Sequence, residues 1–304
     1  MPFGWTGVDL FFVLSGYLIG GVLIDNRNSR ALFGTFYARR IFRIFPLYLL
    51  FLTTASLTYG TGLPAWRFLT FTQNFAWAHS GLTGAGITGL TWSLAVEEQF
   101  YLILPILIRA SSLRALMVFC VCCIVVAPAC RVLLLRTFGV LPYVMLPGRM
   151  DTLFTGVIVA CIVRHSSMLK MAQHHIRLLV CLCGGAFAGF LILGVATGFS
   201  PGSLSMYLFG YSLLSISFGC GLLAVVIRKQ QFVRHKLLVA TGVCAYSIYL
   251  FHQIILSESL SLIGSAPPAA NLTALGGTIA VAVTCWYFIE RPFIGYARSR
   301  WDYI

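Results

Sequence analysis

Carboxylates are scarce in this chain. Eight Asp and Glu stand against 21 Lys and Arg in 304 residues, and charged side chains of both signs make up only 10%. Soluble domains carry roughly 25% charged residues, so an ordinary water-facing surface is excluded. Strict apolar–polar alternation over about ten residues is missing, which argues against a membrane β-barrel. The positions of the ten cysteines argue against a disulfide framework. No His, Cys and carboxylate set has ligand spacing, His174 and His175 included, so no metal is expected. There is no P-loop and no dinucleotide fingerprint. Internal repeats of the kind that build paired-repeat transporters are also lacking.

Long apolar runs fill the space that charge vacates. Hydrophobic residues make up 59% of the chain, in continuous runs too long for buried strands. They predict an all-α, polytopic transmembrane helical bundle, a single domain over residues 1–304. Nine spans are expected, at 6–24, 43–58, 92–108, 115–135, 149–163, 177–197, 206–227, 237–258 and 272–290. The fourth carries Pro128 as a candidate kink, and the fifth is short enough to be tilted or partly re-entrant. Most cysteines fall inside the runs, where a thiol serves as a small hydrophobe. Between spans two and three, RFLTFTQNF (67–75) predicts a short interfacial helix. GLTGAGITGLT (81–91) reads as a flexible loop.

Seventeen of the 21 Lys and Arg lie in the loops at 25–43, 109–114, 164–177, 228–236 and 291–304. Only Arg67, Arg131, Arg136 and Arg149 fall on the other side. This bias sets the first loop and the C-terminus in the cytoplasm. The net charge of +13 thus reports topology, and no nucleic-acid partner is expected. The N-terminus then faces outward with nothing ahead of the first span to carry it across. The expectation is one further span upstream in a ten-span protein, or a misassigned start at Met1.

Few ionisable groups sit within the apolar runs. Glu97 and Glu98 are adjacent inside WSLAVEEQFYLILPILI (92–108), where a charge is expensive and is kept for a reason. At 1.5 Å per residue they lie about 8–9 Å below the outer end of their span. Asp9 opens the first span, Arg149 and Asp151 open the fifth, and His252 and Glu258 lie in the outer half of the eighth. These groups share one layer, which predicts either a polar functional cavity or structural ion pairing, Asp9 or Glu98 with Arg149. His252, in AYSIYLFHQIIL, either bonds locally or acts on an acceptor hydroxyl. On the inner side, FYARRIFRIFPLYLL (36–50) brings Arg39, Arg40 and Arg43 partly onto one helical face. They either anchor the span or hold the phosphates of a large acyl donor. GYLIGG (16–21) offers small residues for close helix contact.

Taken in order, GVDLFFVLSGYLIGGVL (7–23), FYARRIFRIFPLYLL, WSLAVEEQFYLILP (92–105) and GRMDTLFTGV (148–157) resemble the membrane-bound acyltransferase-3 family. AYSIYLFHQIIL (245–256) and YFIERPF (287–293) extend the likeness to the C-terminal end. The resemblance implies a ten-span enzyme of a bacterial inner membrane, surrounded by membrane lipid. It implies O-acylation of a carbohydrate or lipid-linked glycan from acetyl-CoA or another acyl-CoA. Arg39, Arg40 and Arg43 match the family's inner arginine motif, where the donor's phosphates are expected. Glu97 and Glu98 match its glutamate motif, and Arg149 its arginine before span five. To these the depth argument adds Asp9 and His252 as candidate catalytic groups. A histidine base would deprotonate a sugar hydroxyl, Glu97 or Glu98 would orient that base, and Arg149 would stabilise the oxyanion. The family's strongest candidate histidine lies in a first span that this sequence does not contain, in keeping with the topology expectation. Two other classes stay open: a transporter or flippase for a lipid-linked sugar, and a non-catalytic membrane subunit.

Overall fold

A computed structural model describes residues 4–82, 85–228, 235–263 and 267–303. Among the described residues the regular structure is helical, with no strand. In chain order come α1 (Gly7–Asp25), α2 (Leu32–Tyr59), the short α3 (Ala65–Leu69) and α4 (Gln73–Ser80), α5 (Trp92–Ala110), α6 (Leu113–Thr137) and α7 (Leu146–Arg164). The short α8 (Ser166–His174), α9 (Ile176–Thr197), α10 (Tyr211–Arg228), α11 (Lys236–Val243), α12 (Ala245–Ile263), α13 (Pro267–Cys285) and α14 (Arg291–Arg300) follow. Among the described residues, eight helical stretches are long and apolar enough to cross a bilayer, or nine if the bent pair α11–α12 is one span. The chain is a multi-pass membrane protein of the expected class, since helices alone satisfy the backbone of such runs in lipid.

The structure departs from expectation locally. The predicted interfacial helix is two short ones, broken at Phe71, whose φ of 53° lies in the left-handed region. In the stretch read as a flexible loop, Gly86–Thr91 forms a 3₁₀ turn that leads straight into α5, while 83–84 lie outside the described residues. Helix α6 continues through Pro128, and the short fifth span is one unbroken helix. The eighth span bends by 70° between Val243 and Ala245. Helix α2 begins at Leu32, well before the expected 43. Its 28 residues extend about 42 Å. That exceeds a hydrocarbon core of roughly 30 Å, so the arginine-bearing first turns reach past the apolar slab.

The chain divides into two compact units. The first comprises Met1–Asn28, Trp66–Leu82 and Trp92–Gln230. Its closest packing is α1 on α7, with α6 and α10 against α7 and α9 against α10. Glycines permit the α1–α7 approach. A Cβ on Gly16 would stand 2.0 Å from the Leu153 carbonyl oxygen, and one on Gly156 2.1 Å from that of Val13. Asp9 pairs with Arg149 where both helices start, and Asp25 with Arg164 where both end, so α1 and α7 run parallel. Three spans between them require that direction.

The second unit comprises Ser29–Ala65, Thr83–Thr91 and Gln231–Ile304. Leu47 and Phe51 of α2, Leu250 and Ile254 of α12 and Cys285 of α13 form its apolar core. Helix α14 packs along α2.

Candidate functional site

In the first unit, Arg149 lies in the first turns of α7 and reaches Asp9 in the first turn of α1. The Nη2–Oδ1 distance is 2.7 Å and both side chains are fully buried. Aromatic rings enclose the guanidinium: Tyr211 at 4.5 Å, Tyr143 at 5.2 Å, Phe12 at 5.5 Å and Trp92 at 5.9 Å. Ring faces compensate part of the lost hydration of a cation. They make no hydrogen bonds with its edge, and Arg149 Nε and Nη1 and Asp9 Oδ2 have no hydrogen-bond partner among the described residues. Buried polar groups are rarely left in that state.

A second buried pair stands nearby and behaves differently. Arg131 Nη1 donates to Asp151 Oδ2 at 2.8 Å and to Gly148 O, while Nη2 donates to Ser212 Oγ and Nε to Tyr207 O. The last acceptor exists because of a local backbone change. Over Met206–Gly210 the helix widens, and the Tyr211 amide bonds the Met206 carbonyl five residues back. Tyr207 O, the usual acceptor four residues back, is thereby released to Arg131 at 2.6 Å. Asp151 also accepts from Ser212 Oγ and the Thr152 amide. This pair reads as a structural tie.

Glu97 is buried and accepts from the hydroxyls of Ser15 and Tyr101, which stand 2.7 Å from each other. Tyr101 lies one turn after Glu97 on the same helix face. Glu98 is half-buried one residue on. Gln99 donates to Phe71 O and Asn74 Oδ1, tying α5 to the segment before it.

In the second unit, His252 is half-buried on α12. Its Nδ1 lies 2.8 Å from Tyr249 O, which calls for a proton on Nδ1 and leaves the lone pair on Nε2. The three inner arginines have separate surroundings. Arg39 donates through Nε and Nη2 to Trp301 O, and Nη2 also meets Asp302 Oδ1 at 3.3 Å. It lies over the Tyr303 ring, a phenol that burial pushes up while Arg39 and Arg40 pull it down. Arg40 faces the Phe36 ring. Arg43 lines a cavity with Trp286, Arg291 and Arg298. Thus Asp9 and Arg149 come together in the first unit with Glu97 held by hydroxyls, whereas His252 and the arginine cluster belong to the second.

Sequence reasoning missed Ser15, Tyr101, Arg131 and the C-terminal arginines. The i,i+4 spacing of Glu97 and Tyr101 and the i,i+7 spacing of Arg291 and Arg298 were the available signals. Arg131, grouped with the loop cations, is fully buried in α6.

The sequence profile of the acyltransferase-3 family, described as an acyltransferase domain, matches residues 2–289. The chain belongs to the acyltransferase-3 family. Among the relatives of this acyltransferase-3 chain is O-acetyltransferase OatA of Staphylococcus aureus (strain NCTC 8325 / PS 47). It is 26% identical over 319 residues, covering 95% of this chain and 52% of OatA. A Bacillus subtilis (strain 168) protein provisionally named peptidoglycan O-acetyltransferase YrhL is 27% identical over 319 residues, covering 95% of this chain and 50% of YrhL. The chain spans about half the length of the curated relatives it matches. No solved structure matches it.

Proposed function

We propose that this acyltransferase-3 chain moves an acetyl or other short acyl group from acyl-CoA to a sugar hydroxyl of a cell-envelope polysaccharide, lipopolysaccharide or glycolipid. The observation that carries this reading is the Asp9–Arg149 pair, buried yet with open hydrogen-bonding capacity, beside an Arg131–Asp151 pair whose capacity is filled. A pair kept for packing alone closes its bonds, as the second does. Guanidinium donors left open in a buried site suit an oxyanion that exists only during the reaction.

In this reading Arg149 receives the developing negative charge on the acyl oxygen and Asp9 holds the guanidinium in place. The sugar hydroxyl gives up its proton as it attacks. The hydroxyl oxygen bonds the acyl carbon, the carbon–sulfur bond breaks, and the departing thiolate takes up the proton. Glu97 and Glu98, in the same unit as Arg149, set the electrostatics on its side of the reaction. The peptidoglycan in the Bacillus subtilis relative's name supports a cell-envelope glycan as acceptor, and both names support an acetyl group. The arginine-rich loops support a cytoplasmic C-terminus, and the bacterial relatives support a bacterial inner (plasma) membrane as the location.

Full-length protein in liposomes, given labelled acetyl-CoA and a cell-envelope glycan, tests the proposal. The expected result is label esterified to glycan. Passage of unmodified glycan without label transfer would replace the enzyme by a transporter. Neither event would leave a non-catalytic subunit.

A further inference from the structure

The second unit carries an open cavity of about 490 Å³. Arg43 of α2 and Arg291 and Arg298 of α14 line it, together with the Trp286 indole and Val239 and Gly242 of α11. Arg291 and Arg298 lie two helical turns apart and so share a face. Among the described residues no carboxylate lines the cavity. The unit has nine Lys and Arg against three carboxylates, and each of the three is engaged elsewhere. Glu258 accepts from Tyr59, Asp302 meets Arg39, and Glu290 accepts from Ser247 while lying within electrostatic reach of Arg43.

Two backbone irregularities border this space. Helix α11 ends there and turns 70° into α12. A widened turn over Trp286–Glu290 joins α13 to α14, the Arg291 amide bonding the Trp286 carbonyl. Interrupted helices at membrane depth are tolerated where they line a cavity, and widened turns concentrate at functional positions. The charge, the concavity and the backbone breaks coincide.

We infer that this cavity binds the clustered phosphates of a nucleotide-bearing ligand, with Arg291 and Arg298 joining Arg43 on the phosphates and Trp286 offering a stacking face to the base. Guanidinium forks match phosphate oxygens pairwise, and indoles stack on bases regardless of base identity. The choice of ligand rests on the acyltransferase reading above, in which it is the nucleotide end of acyl-CoA. An anionic lipid headgroup presents the same phosphate chemistry, so the test carries both probes.

Adenosine 3′,5′-bisphosphate, which has no acyl group to transfer, is titrated against the full chain in nanodiscs. Phosphatidylglycerol is titrated in parallel. The bisphosphate should bind saturably, and Arg291→Gln and Arg298→Gln should each weaken it about tenfold or more. Gly242→Phe should abolish binding with every charge in place, since a Cβ there meets nothing within 4 Å and the ring has the cavity to fill. Arg300→Gln, outside the cavity, should bind as the parent does. Arginine-dependent binding of phosphatidylglycerol without bisphosphate binding would overturn the nucleotide assignment. Loss of arginine dependence for both probes, in variants that melt like the parent, would overturn the phosphate site. Neither readout needs acyl transfer, so a failed transfer assay leaves the result interpretable.

Discussion

Two arginines of one type and equal burial are given different work by their bonding. Arg131 fills its fork on Asp151, two backbone carbonyls and Ser212, so its removal is a stability event. Arg131→Met leaves Asp151 buried without its cation, a loss of about 3–5 kcal/mol. The expected outcome is a sharp fall in folded protein recovered in detergent, and full recovery would contradict the structural role. His252 is the opposite case. Its two described bonds both run to carbonyls of its own helix, so His252→Gln should melt like the parent. Its acyl-transfer rate should drop about 100-fold if Nε2 is the base. A variant with the parent's rate removes His252 from the chemistry.

At the scale of elements, the α1–α7 contact holds Asp9 against Arg149. Gly156→Ala places a methyl about 2 Å from the Val13 carbonyl oxygen, so the helices must separate. The expected loss is about 1–3 kcal/mol in thermal unfolding, accompanied by reduced transfer. An unchanged melt would mean that the crossing is looser than described. The small residues of GYLIGG signalled this packing, but its partner on α7 is far away in sequence and gave no local sign. The nine apolar runs were legible because length and continuity suffice to specify a spanning helix. The 70° bend was not, since no proline stands at Cys244 and interior Gly242 reads as ordinary helix. Arg131 was misplaced for a related reason. A cation near the end of an apolar run looks like an anchor until its carboxylate, 20 residues on, is seen beside it.

For the whole molecule, topology and chemistry have to agree. A reporter fused after Ile304 should be accessible in inverted vesicles and protected in right-side-out ones, given the 17-to-4 partition of basic residues. Accessibility on the opposite face would reverse every depth assigned from sequence, and with it the side from which the donor enters. The family match spans residues 2–289, and the candidate site was partly legible: Asp9, Glu97 and Arg149 stood out as charges in apolar surroundings. Their hydroxyl and aromatic neighbours did not, because Ser15, Tyr101 and Tyr211 are ordinary residues in a membrane helix. The most direct measurement is transfer of labelled acetyl by the double variant Asp9→Asn, Arg149→Gln, which replaces the buried ion pair by neutral groups of similar shape. The variant should fold and melt close to the parent while transfer falls at least about 100-fold. Transfer at the parent's rate by this folded variant would contradict the assignment of Arg149 to the reaction.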